Sequence, residues 1–500
     1  MTHPLRTAHR RAGALLGGAS IVLVCAAPAA AQINWTDLFM DEQKERQIAE
    51  QEHPKILEQF GGAYQDPALQ AYLDGLIQHL GRNSHRPDIA YRVTILNSPI
   101  VNAFALPAGY LYVSRGLLSL AGNEAEVAGV LAHEIGHVTA RHTAERYGRG
   151  VLASGGIGLI GMLGAIFDSP QLAQTLQQAV GVGATLYIRG FSREQELEAD
   201  RFGVEIMGRA GYDPHAMSSF LTRLQRDTRL RATLIGKPGE ADQFSLLSTH
   251  PRTEERVGQA IRLANIARGG RVVRVAEYLD RIDGLMYGDD PAQGFVRGTR
   301  FVHPKLKIRF RVPAAYRLVN STHAVTAFGP EHAIIRFDAA PRPFAGAMQR
   351  YLTQEWIKDQ PLQHLETLDI NGLEAATGAT RLQPTPGGAE VDVRLVAIRF
   401  DEQSIYRFVF ATPPKLTKSL EMGLRGTTYS FRRISDEEAA GYQPHQLKIL
   451  RVKPGDTVAG LAARMPYPDY QVERFAAVNG LDPAQPLKPG QLVKIIVEGS

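Results

Sequence analysis

Cysteine is all but absent. The one copy in 500 residues is Cys25, inside a stretch that reads as a cleavable leader. The expected mature chain therefore carries neither a disulfide nor a thiol, and a structural zinc site built on thiolates is excluded. Tandem repeats and long low-complexity tracts are missing too. So is any strong charge imbalance: Arg6, Arg10 and Arg11 belong to the leader, and without them the formal charge falls from +5 to +2. The pI of 9.1 is thus partly a property of the leader, and no nucleic-acid partner is expected. Outside the leader, the 17 residues from Val151 to Phe167 make an uncharged, hydrophobic run with five glycines. It sits at the short edge of spanning length, and no second hydrophobic span would complete a bundle. We expect a glycine-rich buried helix or flap, with peripheral membrane contact as the alternative.

The rest is an ordinary globular balance, 44% hydrophobic and 21% charged residues, in a chain long enough for about three domains. Residues 1–31 read as a signal peptide. Arginines open it, an apolar stretch from Ala12 to Ala27 follows, and Ala29-Ala30-Ala31 offers a cleavage site before Gln32. Export to the periplasm is the expectation. Residues 32–286 are mainly helical in pattern, opening at Asp41-Glu42 with a second helix over Asp66–Leu80. Tyr91–Leu96 alternates like a strand, and Val101–Ser114 reads as an extended pair bent at Pro107-Ala108-Gly109. Asn123 caps the next helix, with Glu126 as the reciprocal partner. The breaker cluster Tyr287–Pro291 marks a boundary. Residues 292–438 read as an α+β domain, with a strand over Leu306–Val312, a helix over Phe344–Lys358 and a hairpin from Val391–Phe400 to Ile405–Phe410. Residues 447–498 form a third, small unit. The fold class is α+β and multidomain.

The chemistry lies in His133-Glu134-Ile135-Gly136-His137. On a helix, positions i and i+4 share a face, so two imidazoles can grip one zinc ion while the glutamate between them reaches a bound water. A third protein ligand is needed. His142 follows five residues after His137, and continued helical geometry puts it on another face, so it reads as structural. Ser192–Asp200 supplies the alternative on a second helix. Glu196 and Asp200 share a face there, Glu196 as ligand and Asp200 as partner to a ligand histidine. Glu194 and Glu198 read as solvated.

Together these residues resemble the HtpX/BepA-like zinc metallopeptidase family (peptidase family M-forty-eight). The similarity runs in order over about residues 40–265: Asn102-Ala103-Phe104-Ala105 with Pro107 and Gly109, then His133–His137, Ser192-Arg193 with Glu196 and Ala199-Asp200, Gly211–Pro214, and Ser248-Thr249-His250-Pro251 with Arg256. The resemblance implies a gluzincin-type domain with one Zn2+ per chain held by His133, His137 and Glu196. It makes Glu134 the base, sets Asp200 and Arg256 behind the ligands, and makes Asn102, Ala103 and Phe104 a strand that pairs with extended substrate. His250 has three readings: a latch on the open metal position, an oxyanion donor, or a structural histidine. The helical repeats that follow the peptidase domain in BepA-like relatives are not seen here. The tail instead resembles a LysM module, a βααβ unit with Val452–Val458 as opening strand and turn and Leu487–Ile495 as closing strand. Such modules bind N-acetylglucosamine glycans, here peptidoglycan.

The expected function is a periplasmic zinc metalloendopeptidase in envelope protein quality control. Its substrates would be unfolded or misassembled envelope proteins, and the tail would associate it with cell wall or outer membrane. A peptidoglycan-directed hydrolase and a chaperone or glycan-binding protein are the alternatives.

Overall fold

The computed structural model describes residues 41–145, 191–234, 250, 254–267, 270–358, 360–383 and 388–499. The leader, the Val151–Phe167 run, and Ser248, Thr249 and Pro251 lie outside the described residues. No helix among the described residues is long and apolar enough to cross a membrane.

Side-chain caps start the first helices where the sequence places them. Asp41 accepts from the Lys44 N–H to open α1 (Glu42–Gln59). Asp66 accepts from the Leu69 N–H at 2.9 Å to open α2 (Pro67–Arg82), whose first position is a proline. Leu69, Leu73, Leu76, Ile77 and Leu80 make its buried stripe. A three-stranded sheet follows, in the order β1–β3–β2. β1 (Arg92–Leu96) runs parallel to β3 (Tyr110–Ser114), and β2 (Ala103–Ala105) pairs antiparallel with β3 on its other side. The turn between β2 and β3 uses Ala108 and Gly109 at φ 58° and 81°. A Cβ on Gly109 would stand 2.5 Å from the Ile89 side chain, so the position takes only glycine. Helices α3 (Arg115–Leu120), α4 (Glu124–Thr139), α5 (Arg193–Arg209), α6 (His215–Leu234), α7 (Glu254–Ile266) and α8 (Val275–Arg281) complete this part.

The middle region holds two sheets. Strands β5 (Phe295–Arg297), β6 (Arg300–His303), β7 (Ile308–Arg311) and β15 (Arg432–Arg433) form one, in the order β15–β7–β6–β5. The other has seven strands in the order β11–β12–β13–β14–β10–β9–β8. Its members are β8 (Arg317–Asn320), β9 (Val325–Phe328), β10 (Ile334–Ala339), β11 (Gln363–Ile370), β12 (Leu373–Leu382), β13 (Val391–Arg399) and β14 (Ile405–Thr412). Helix α9 (Pro414–Ser430) covers part of one face. Phe301, Phe310, Phe337, Phe408 and Phe431 fill the core between these layers. Two sequence expectations shift here. The strand expected from Leu306 begins at Ile308, because Lys307 turns at φ 54°. The helix expected over Phe344–Lys358 is shorter, running over Met348–Arg350 and continuing as a π-helix over Tyr351–Trp356. Gly346 at φ 154° delays its start, and Ala347 has no polar side chain to cap it.

The tail folds as β16 (His445–Arg451), α10 (Val458–Ala462), α11 (Gln471–Asn479) and β17 (Leu492–Glu498), with β16 and β17 antiparallel. Its sheet gains a third strand from upstream, β4 (Met286–Tyr287), which pairs with β16. Leu447, Phe475, Val493 and Ile495 of the tail belong to the same buried cluster as Leu73, Val130, Leu131 and Leu224.

Candidate metal centre

Helix α4 is capped by Asn123, which accepts from the Glu126 N–H at 2.9 Å. The expected reciprocal bond is displaced by one residue. Glu126 Oε2 accepts from the Gly122 N–H at 2.7 Å, and Oε1 takes Ser219 and Arg223 of α6. Every residue of α4 from Glu124 to Val138 is buried. A fully buried helix can be approached closely only where side chains are small. A Cβ on Gly136 would lie 2.9 Å from the Ala199 carbonyl oxygen, and one on Gly203 would lie 3.2 Å from the His133 nitrogen. Glycine at both places lets α5 lie directly on α4, and this brings Glu196 and Asp200 to the histidines.

Four groups converge: one ligand atom each from His133, His137, Glu196 and His250, all within 4.8 Å of one another. The two Nε2 atoms of His133 and His137 are 3.1 Å apart. Glu196 Oε1 is 3.4 Å from His137 Nε2 and 2.7 Å from His250 Nδ1. Glu134 points at the same place, with Oε1 3.7 Å from His250 Nε2. Its Oε2 is buried with no hydrogen-bond partner among the described residues.

The shell behind these groups sets their protons. His133 Nδ1 lies 2.9 Å from Asp200 Oδ1, so it donates there and turns a lone pair on Nε2 inward. Arg256 in turn grips both Asp200 oxygens, at 2.7 and 2.8 Å, and Glu196 Oε2 at 2.5 Å. Burial raises the Asp200 pKa, but Arg256 and His133 reverse the effect and hold it at about 2. On the other side, Glu198 accepts from His142 Nε2 at 3.3 Å, and His142 Nδ1 lies 3.1 Å from His137 Nδ1. A carboxylate at the end of that chain directs the His137 proton to Nδ1 and its lone pair to Nε2. Two imidazole lone pairs and a carboxylate thus face one point, an arrangement that repels itself until a cation sits there. The donor set, nitrogen and oxygen without sulfur, fits Zn2+. Burial raises the Glu134 pKa, against the opposing charges of His250 and His133.

The structure brings together every residue expected at the metal centre. It also corrects one reading. His142 does not lie on another face; Glu198 is exposed as expected and additionally reaches the His142 ring. The helix ends at Thr139 and Arg141 takes φ 60°, which folds the chain back so that His142 meets His137. Glu45 holds that turn by pairing with Arg141 at 2.7 Å. Phe191, unremarked in the sequence, stacks on His137 with ring centres 3.8 Å apart. No local pattern foretells it. Asn102, Ala103 and Phe104 lie at β2, an outer strand of its sheet that packs beside α4. Asn102 Oδ1 is buried without a hydrogen-bond partner among the described residues. The space at His133, Glu134, His250 and Arg256 is a cavity of about 30 Å³, walled by Val130 and Phe220. Among the described residues it has room for a water and none for a peptide.

Comparison with known proteins agrees with this geometry. The sequence model of peptidase family M48 matches residues 67–264, and that of the LysM domain matches residues 450–495. The chain carries an M48 peptidase domain and a LysM domain. It is 33% identical over 231 residues to the beta-barrel assembly-enhancing protease of Yersinia pestis, covering 45% of each chain. The Escherichia coli protein of that name is 32% identical over 206 residues, 41% of this chain and 40% of the relative. The mitochondrial metalloendopeptidase OMA1 of Arabidopsis thaliana is 36% identical over 174 residues, 35% and 31% of the two chains. The chain thus spans less than half the length of these curated relatives. Among solved structures, cyanobacterial PsbP from Synechocystis aligns at a TM-score of 0.22 and 14% identity, over 29% of this chain and 98% of that one.

Proposed function

We propose that the protein is a zinc metalloendopeptidase of the gluzincin type, with His133, His137 and Glu196 holding one Zn2+ per chain. The observation that carries this reading is Glu134, a buried carboxylate with an unpartnered oxygen beside the convergent donors. When bound, zinc supplies Lewis acidity that lowers the pKa of a water toward about 7 and polarises the scissile carbonyl. Glu134 takes the proton of the attacking water and delivers it to the leaving amine. Asp200 and the His142–Glu198 pair keep the two imidazoles oriented, and Arg256 fixes Asp200 and Glu196. β2 offers its outer edge to an extended substrate, a mode that reads backbone more than side chains and suits unfolded segments. Unfolded or misassembled envelope proteins in the periplasm are the substrates we infer, with the LysM domain as a contact to peptidoglycan. The test is purified protein given casein and, separately, purified sacculi. Cleavage of casein supports the proposal. Release of muropeptides without casein cleavage would favour a wall hydrolase, and neither activity would favour a binding protein.

Two further results follow from the ligand geometry. Glu196→Ala leaves two imidazoles on the metal and should empty the site on dialysis, whereas Glu198→Ala, one step removed, should retain zinc at near one per chain. Metal analysis decides between them, and the reverse pattern would move the third ligand to Glu198. His250 is the second case. It is buried, 2.7 Å from Glu196, and it closes a cavity too small for substrate. We read it as a latch that must withdraw before a peptide enters. His250→Ala should then keep zinc and raise casein cleavage. A fall of roughly 100-fold would make it an oxyanion donor instead, and unchanged activity would leave it structural.

A further inference from the structure

The middle region contains a cleft unrelated to the metal centre. Register across the seven-stranded sheet aligns Gln363, Ala379, Arg394 and Phe410 in one row over β11, β12, β13 and β14. Arg381, Asp392 and Thr412 form the next row on the same face. Helix α9 crosses this face over β13 and β14, with Leu424 packed in the same cluster as Phe410. Between helix and strands opens a cavity of about 500 Å³, the size of a small-ligand site. Phe410 and Leu424 make its apolar wall, and both are buried.

Its charges are unevenly satisfied. Asp392 is saturated, with Arg381 on one oxygen and Thr417 Oγ1 on the other, each at 2.6 Å. Among the described residues Arg394 makes a single long bond of 3.4 Å, to Thr377 Oγ1, and Arg425 of α9 makes none. Neither has a carboxylate within ion-pair distance among the described residues. Glu421 is the one other charged group of α9 on the lining, which leaves the three unpaired groups with one net positive charge. Two guanidinium groups free to bind, over an apolar wall, match a planar or tetrahedral anion carried on a hydrocarbon body.

We propose that this cleft binds an amphiphilic anion, a carboxylate or phosphate ester. Arg394 and Arg425 would hold the anionic group, with Phe410 and Leu424 against the apolar part. A soluble organic anion and the head of an anionic membrane lipid share this chemistry. The experiment is calorimetric titration of the full chain with octyl phosphate below its micellar concentration, with inorganic phosphate and octanol as partial probes. Octyl phosphate should bind at least about tenfold more tightly than either part. The Arg394→Gln/Arg425→Gln double variant should weaken it by about tenfold or more. Ala379→Trp should do the same by filling the cleft. Both variants are checked for unchanged circular dichroism. Pelleting with phosphatidylglycerol vesicles and not with phosphatidylcholine vesicles, lost in the double variant, would name the lipid source. Octyl phosphate binding without vesicle binding would name a soluble anion. No octyl phosphate binding, or equal binding by all three proteins, overturns the proposal.

Discussion

Glu134→Gln is expected to lower casein cleavage by roughly 10²–10⁴-fold, the usual contribution of a positioned acid–base group, with zinc still at one per chain. The two effects separate because Glu134 is not among the four groups that converge on the metal position. Its Oε2 is buried and makes no hydrogen bond among the described residues. Glutamine has nearly the same volume, so α4 and its contact with α5 remain packed, but an amide cannot accept the proton of the water. Stability should hardly fall, since burial already penalises the ionised carboxylate and raises its pKa. Metal content by atomic absorption, an unfolding midpoint and a casein assay on one preparation decide the matter. Cleavage at the parent rate by a zinc-replete variant would remove Glu134 from the mechanism.

What could be read from the chain divides by range. Caps and periodicity act over three or four residues, so Asp41, Asp66 and Asn123 start their helices where expected. Spacing alone paired Glu196 with Asp200 on one face of α5. His142 escaped because its position depends on where α4 stops. One left-handed residue, Arg141, held by Glu45 from the other end of the domain, reverses the face it presents. Phe191 escaped because stacking on His137 comes from packing, which no period encodes. The cleft over β11–β14 depends on strand register, and a pattern of alternation is silent about which residues become neighbours. Lys494 is the sharpest case. It is the one charged residue within the apolar run Leu492–Val497 of β17, and it is buried against a distant part of the chain that this run does not name.

Lys494 ties the LysM domain to the peptidase domain, and Lys494→Met is expected to destabilise both. Its Nζ donates to the carbonyls of Ser119, Leu120 and Ala121 at 2.7, 3.0 and 2.8 Å. These lie at the C-terminus of α3, where helix carbonyls lack internal partners and the helix dipole is negative. Three acceptors match the three N–H bonds of an ammonium group. Burial and the charge of Arg223 pull the Lys494 pKa down, with Glu126 and Asp227 opposing. Two residues after Ala121, Asn123 caps α4, the helix of His133 and His137, and Arg226 of α6 bonds the Gly480 carbonyl from the other side. Methionine keeps the length and loses all three donors. Stranding buried carbonyls costs about 1–3 kcal/mol each, and less than additively, so the loss should be about 3–5 kcal/mol. Urea unfolding followed by two probes checks it, tryptic release of the tail and loss of bound zinc. The shared core predicts one transition, moved to lower urea for both probes. A variant that releases its tail early while zinc loss keeps the parent midpoint would mean that the LysM domain folds by itself and only leans on the peptidase domain.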